Sequence, residues 1–186
     1  MLKVKTALVT GSTRGIGEAT ARALAAQGCN IMMNGFGDPG EIEAKRAGIE
    51  SDTGAKVLFN GADLSDEKQL DDLVDSAEAA FGGVDILINN AVIRYFHTVD
   101  DFDRDNWRHA LSVNITAPFF LTQRVLPGMR KRGHGSFLFS NNNKSLRGQK
   151  RNTGESLYYP RVMMRTLAQV LTEEFSEHGI HVANVV

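Results

Sequence analysis

Short apolar runs alternate with longer amphipathic stretches along this chain. Thr6–Thr10, Asn30–Asn34, Lys56–Asn60, Val84–Asn89, Ser136–Ser140 and Ile180–Val186 carry too few polar interruptions for a solvated face, and they read as six strands covered on both sides. Between them, helical spacing runs over Ile16–Gln27, Pro39–Ser51, Asp66–Phe81, Arg104–Arg132 and Pro160–Glu177. Ser65 before Asp66 and Glu67 predicts an N-cap with acids in the first turn, and Gly82-Gly83 predicts the stop. The order βαβαβαβαβαβ implies right-handed crossovers. It therefore predicts an α/β fold with a doubly wound parallel sheet in three αβα layers, whose ligands lie beyond the carboxyl ends of the strands.

Composition narrows the function classes. At 186 residues, 42% hydrophobic and 23% charged, the chain reads as one domain over 1–186, with no repeat, linker or low-complexity tract. Twenty-one Lys and Arg against 22 Asp and Glu leave a net charge of -1, which argues against a globally basic nucleic-acid binder. A basic block does run from Arg130 to Arg151, but without aromatic residues spaced for base stacking, so no nucleic-acid partner is expected. No stretch approaches the roughly 20 apolar residues of a membrane span, and the N-terminus lacks a leader-like apolar core; the expectation is a cytoplasmic protein without a membrane partner. Cys29 is the single cysteine, placed to enter a strand as a buried thiol. His178 and His181 lack a carboxylate or cysteine partner at ligand spacing, so no metal site is expected. Eighteen glycines exceed the roughly 13 expected for this length, and their positions carry information.

Three of them follow the first strand in Thr10-Gly11-Ser12-Thr13-Arg14-Gly15-Ile16-Gly17, directly before an Ala-rich helix. Glycines in that context let the chain turn, let a pyrophosphate approach the backbone and let the helix pack close to the sheet. The helix N-terminus then faces the negative charge. Gly11 to Gly17 are accordingly the candidate cofactor-binding loop of a Rossmann-like domain.

The spacing Thr-Gly-x-x-x-Gly-x-Gly resembles the short-chain dehydrogenase/reductase family, and matches continue at later strand ends. Asp63-Leu64 is similar to the family's pair beside the adenine, Asn89-Asn90-Ala91 to its Asn-Asn-Ala-Gly motif with Val92 in place of the last glycine, and Asn114 to its active-site Asn. Read singly, Asp63 is equally a capping acid, Asn90 a turn residue and Asn114 a buried amide satisfied by backbone. Asn34-Gly35-Phe36-Gly37-Asp38-Pro39 and Phe81 to Asn90 look like bacterial 3-hydroxybutyrate dehydrogenases. The resemblance implies cofactor contacts from Phe36, Asp63, Leu64, Asn90 and Ala91, and a small-molecule substrate such as a 3-hydroxy acid. It also implies a homo-oligomer. Gly35 stands where an acid would bind the ribose hydroxyls of NAD, while Arg14 is placed to pair with the 2′-phosphate of NADP. The hydroxybutyrate resemblance implies NAD, with NADP as the alternative.

The family's catalytic Tyr, Lys and Ser are not matched in place. The Tyr position falls at Leu157 and the Lys position at Arg161, with Tyr158 one residue late; the Ser position falls at Asn142. Tyr158 becomes the candidate acid/base, Arg161 its charged neighbour and Asn142 the candidate donor to a substrate oxygen. Pro160 predicts a helix starting there, with Tyr158 outside it. Arg94 is the candidate partner of a substrate carboxylate. The chain stops at Val186, on the sixth strand, before the substrate-covering loop and last strand that the resemblance implies. Two functions follow: hydride transfer between NAD(P) and a small hydroxy or keto compound, or nucleotide binding without turnover.

Overall fold

A computed structural model describes residues 4–97, 100–141 and 158–186, without the side chains of Tyr158 and Tyr159. The strands are β1 (Thr6–Val9), β2 (Asn30–Asn34), β3 (Val57–Asn60), β4 (Ile86–Asn89), β5 (Gly135–Ser140) and β6 (Ile180–Val185). The helices are α1 (Gly15–Ala26), α2 (Pro39–Thr53), α3 (Glu67–Phe81), α4 (Arg104–Leu111), α5 (Ala117–Arg132) and α6 (Tyr158–Phe175). All strand pairs are parallel, in the order β3-β2-β1-β4-β5-β6, so the predicted doubly wound sheet is present.

Alternation along each strand divides the core. Ala7, Val9, Ile31 and Met33 face α1 and α2, where Ala21 and Ala25 allow α1 to lie close. Leu8, Met32, Leu87, Phe137 and Phe139 face α3, α5 and α6. The last two phenylalanines are fully buried, and each contributes roughly 2–3 kcal/mol of apolar transfer. Coverage on both faces holds for β1 and β4, which are buried throughout, but not for β5, whose residues alternate between buried and half-buried. β3 and β6 are edge strands and are only partly covered.

Several boundaries differ from expectation for identifiable reasons. The cap of α3 is Asp66, which accepts from Lys68 N at 3.0 Å, because Ser65 turns its hydroxyl back to Asp63 at 2.8 Å. The span Arg104–Arg132 is interrupted by a π turn at Ser112–Thr116, which separates α4 from α5. Helix α6 starts at Tyr158 and not at Pro160. A proline within the first turn lacks only an N–H that has no intrahelical partner there. Asn142, Leu157 and all of the basic block after Asn141 lie outside the described residues. Among the described residues no helix is long and apolar enough to cross a membrane.

Candidate cofactor and active site

The strand order reverses between β1 and β4, and their carboxyl ends open the crevice where a doubly wound sheet holds its ligands. The two ends are in backbone contact. A Cβ on Gly11, whose φ is +62°, would stand 2.8 Å from Ala91 Cα; one on Gly17 would stand 2.2 Å from the Gly11 carbonyl oxygen and 2.6 Å from Asn90 Nδ2. Neither position admits a side chain without moving backbone. At Gly15 the space is open, with nothing within 4 Å of a Cβ.

Polar groups lock the same contact. Thr10 Oγ1 donates to the Ile88 carbonyl at 3.1 Å and accepts from Asn90 N at 3.0 Å and Ala91 N at 3.1 Å. Asn90 Nδ2 donates to the carbonyls of Thr10 and Gly11, at 3.0 and 3.1 Å. Asn90 thus builds the loop from beneath. One residue earlier, Asn89 keeps both amide atoms buried without a hydrogen-bond partner, which marks the end of β4 as polar interior.

The hydroxyls of the loop face inward. Ser12 Oγ donates to the Asn34 carbonyl and accepts from Asn34 N, at 3.3 and 3.0 Å, while Thr13 Oγ1 donates to the Phe36 carbonyl at 2.8 Å. Arg14 and Ile16 are exposed, as is Phe36 at the end of β2. Helix α1 also begins differently from its neighbours. Aspartates 38, 66 and 103 cap α2, α3 and α4, whereas Arg14 gives α1 no side-chain cap. The N–H groups of its first turn are therefore not taken by a cap. Asp63 accepts from Ser65 N and Ser65 Oγ, both at 2.8 Å, and so shapes the turn before α3, with Leu64 buried beside it.

Beyond β4 the chain runs along α4 and the π turn. Asn114, 1% exposed, donates to the Ile93 carbonyl and accepts from Ile93 N, both at 2.9 Å. Tyr95 Oη and His109 Nδ1 are 2.8 Å apart. Arg94 lies between these two pins and is exposed. On the far side of the crevice Arg161 is only 8% exposed, with Nη1 donating to the Ser140 carbonyl at 2.8 Å; Asn141 Nδ2 in turn donates to the Arg161 carbonyl at 2.9 Å. A permanent cation is thereby fixed at the carboxyl end of β5. The backbone of Tyr158 stands one helical turn before it, while Asn142 lies outside the described residues. Sequence reasoning placed Tyr95 beside Arg94 on the substrate side and Asn141 near the Ser position, without their partners, and missed Lys45 and His109. None belongs to a spaced motif; each matters through a backbone or ring brought close by the fold. Burial raises the Cys29 thiol above its usual range, with Asp85 adding to the effect.

The family model described as short chain dehydrogenase matches residues 5–186. The chain is 44% identical over 138 residues to a D-beta-hydroxybutyrate dehydrogenase of Cupriavidus necator, a match covering 74% of this chain and 53% of that protein. The chain thus spans about half the length of that relative. It is 33% identical over 182 residues to a 2-dehydro-3-deoxy-D-gluconate 5-dehydrogenase of Dickeya dadantii, covering 97% of this chain and 70% of the other. Among solved structures, a short chain dehydrogenase from Burkholderia cenocepacia in complex with NADP superposes with a TM-score of 0.87 at 29% identity, over 98% of this chain and 73% of that one.

Proposed function

The chain belongs to the short-chain dehydrogenase family, and from that footing we propose that it transfers a hydride between NAD(P) and a small hydroxy or keto compound such as a 3-hydroxy acid. The observation that carries this is the interlock of the two strand ends, in which Thr10 and Asn90 hold the glycine turn against Ala91 and leave the first turn of α1 uncapped toward open space. These residues fit a dinucleotide: backbone N–H groups at a helix start suit a pyrophosphate, and the exposed Ile16 and Phe36 give apolar surface for the adenosine half to cover. Gly11 to Gly17, Phe36, Asp63, Leu64, Asn90 and Ala91 are its assigned surroundings.

When bound, the nicotinamide accepts or supplies the hydride. In the oxidising direction the substrate hydroxyl gives its proton to Tyr158 as phenolate, while the hydrogen on the carbinol carbon leaves with its electron pair. Arg161 favours the phenolate by charge and cannot itself relay a proton, so proton exchange with solvent falls to Tyr158. Asn114 fixes the loop that carries Arg94, whose guanidinium pairs with the substrate carboxylate. Asn142 is assigned to the substrate oxygen.

A homo-oligomer is part of the proposal, supported by Phe119 on α5 and Val162, Met163 and Val170 on α6, all exposed apolar residues. A cytoplasmic setting is supported by the single cysteine buried as a thiol. The test is appearance of reduced nicotinamide when the protein is mixed with oxidised cofactor and a panel of short 3-hydroxy acids, with light scattering for the assembly. Turnover that falls on Tyr158→Phe and on Arg94→Gln supports the assignment. Tight cofactor binding without turnover of any hydroxy acid would overturn it.

A further inference from the structure

The row of β6 that faces the core begins apolar and ends polar. Ile180 is buried and Val182 packs against the same core, so the period of two calls for an apolar residue at 184. Asn184 stands there instead, opposite Phe139 in the parallel register. Its Oδ1 accepts from Asn141 Nδ2 at 3.0 Å. Asn141 is the first residue beyond β5, and its backbone N–H donates to the Val185 carbonyl at 2.7 Å.

The same Nδ2 donates to the Arg161 carbonyl at 2.9 Å. A backbone carbonyl can only accept, so the amide atom facing it is the nitrogen, and the direction of both bonds is fixed. Asn141 gives and Asn184 takes. Arg161 is thus fastened twice, by consecutive residues: its main chain by Asn141, and its side chain to the Ser140 carbonyl at 2.8 Å. It lies in the first turn of α6, three residues after Tyr158. A guanidinium rides on a long stem with many rotamers, and its charge acts steadily on a neighbour only if stem and helix start are both held. None of these atoms belongs to the interlock of β1 and β4 that carries the cofactor reading.

We propose that Asn141 and Asn184 are positioning residues for turnover: together they hold Arg161 and the first turn of α6 where the guanidinium stabilises the Tyr158 phenolate. They exchange no proton with the substrate and act through Arg161. The inference rests on the reading of Tyr158 and Arg161 as the proton-handling pair, and goes beyond it in naming what aims that pair.

Isosteric substitutions at opposite ends of the Asn141–Asn184 bond test this hold. Asn141→Asp puts a carboxylate oxygen where Nδ2 stood, facing two acceptors, whereas Asn184→Asp keeps an acceptor for Nδ2. Each adds the same charge, so the difference between them reports the hydrogen bonds. The rate constant kcat, KM and the pH profile are measured for oxidation of short 3-hydroxy acids by the full chain, with cofactor titration and melting temperature alongside. Asn141→Asp is expected to lower kcat about tenfold or more, leave KM and cofactor affinity within about twofold, and move the acid limb of the profile to higher pH, because a looser cation stabilises the phenolate less. Asn184→Ala should lower kcat severalfold in the same sense, and Asn184→Asp should recover most of the turnover that alanine loses. Where Asn141→Asp fails to fold, the two substitutions at 184 carry the test. An unchanged kcat and pH profile in folded Asn141→Asp or in Asn184→Ala overturns the positioning role, even with a lower melting temperature, because the amides would then only tie β5 to β6. Equal losses in Asn184→Asp and Asn184→Ala overturn it as well. An unaltered chain that binds cofactor yet oxidises no 3-hydroxy acid removes the reading of Tyr158 and Arg161 and this inference with it, a result distinct from turnover that is indifferent to the two amides.

Discussion

The two sides of the crevice are built by opposite means. On the side of β1, β2 and β4, backbone meets backbone at distances that only glycine permits, and Thr10 and Asn90 fasten the contact. On the side of the β4–α4 loop, the π turn, β5 and α6, polar side chains reach across: Asn114 to Ile93, Tyr95 to His109, Arg161 to Ser140, Asn141 to Arg161. The first side is intolerant of added atoms and the second of lost ones. A cofactor needs a surface whose shape is fixed before it arrives, while a substrate site needs functional groups that a side chain can aim.

Adding one methyl group tests the first side most severely. Gly17→Ala sets a Cβ against the Gly11 carbonyl and Asn90 at once, and it should cost about 3 kcal/mol of stability and abolish cofactor binding. Denaturant melts and cofactor titration measure both, and an alanine variant that binds normally would end the contrast.

Removing atoms tests the second side. Asn114→Ala leaves the N–H and C=O of Ile93 without their partner and should lower stability by about 2 kcal/mol. Cofactor affinity should change little, because the glycine turn does not depend on that amide. A drop in cofactor affinity as large as the drop in stability would show the two sides to be one unit.

A third substitution checks whether polar fastening also counts on the first side. Thr10→Val removes a hydroxyl that serves three backbone groups while keeping its volume, and should cost roughly 1–2 kcal/mol. Thr10→Ser should recover most of it.

The smallest effect separates α1 from the capped helices. Asp66 is held below the ordinary aspartate range by the Gln69 side chain and then by Lys68 N, and Asp103 by Asn106 N. A carboxyl depressed in the folded state stabilises fully above its unfolded value of about 3.9 and loses that contribution as pH falls through the folded value. Hydrogen exchange should therefore show the first turns of α3 and α4 loosening below about pH 4, with α1 unchanged apart from the intrinsic rate.

The layered sheet, its six strands and the glycine turn were legible along the chain, because apolar runs, helical spacing and turn residues are local signals. The reading failed where two local rules competed. Ser65 and Asp66 both cap well, and Asp63 decided between them by taking the serine hydroxyl. Pro160 disfavours helix at Tyr159, yet a first-turn position removes most of that cost. The π turn left no local signature; within it Asn114 serves the distant Ile93 backbone.

By itself the sequence determined the succession of strands and helices and the glycine turn after the first strand, and that an acid is missing after the second strand. Only the tertiary structure decided why it is missing: Gly35 packs on Thr13 and leaves no room for a side chain. It also brought Lys45 onto that same threonine, 32 residues away along the chain. Periodicity is written into neighbouring residues, whereas the charge at a lip depends on which helix the sheet sets beside it.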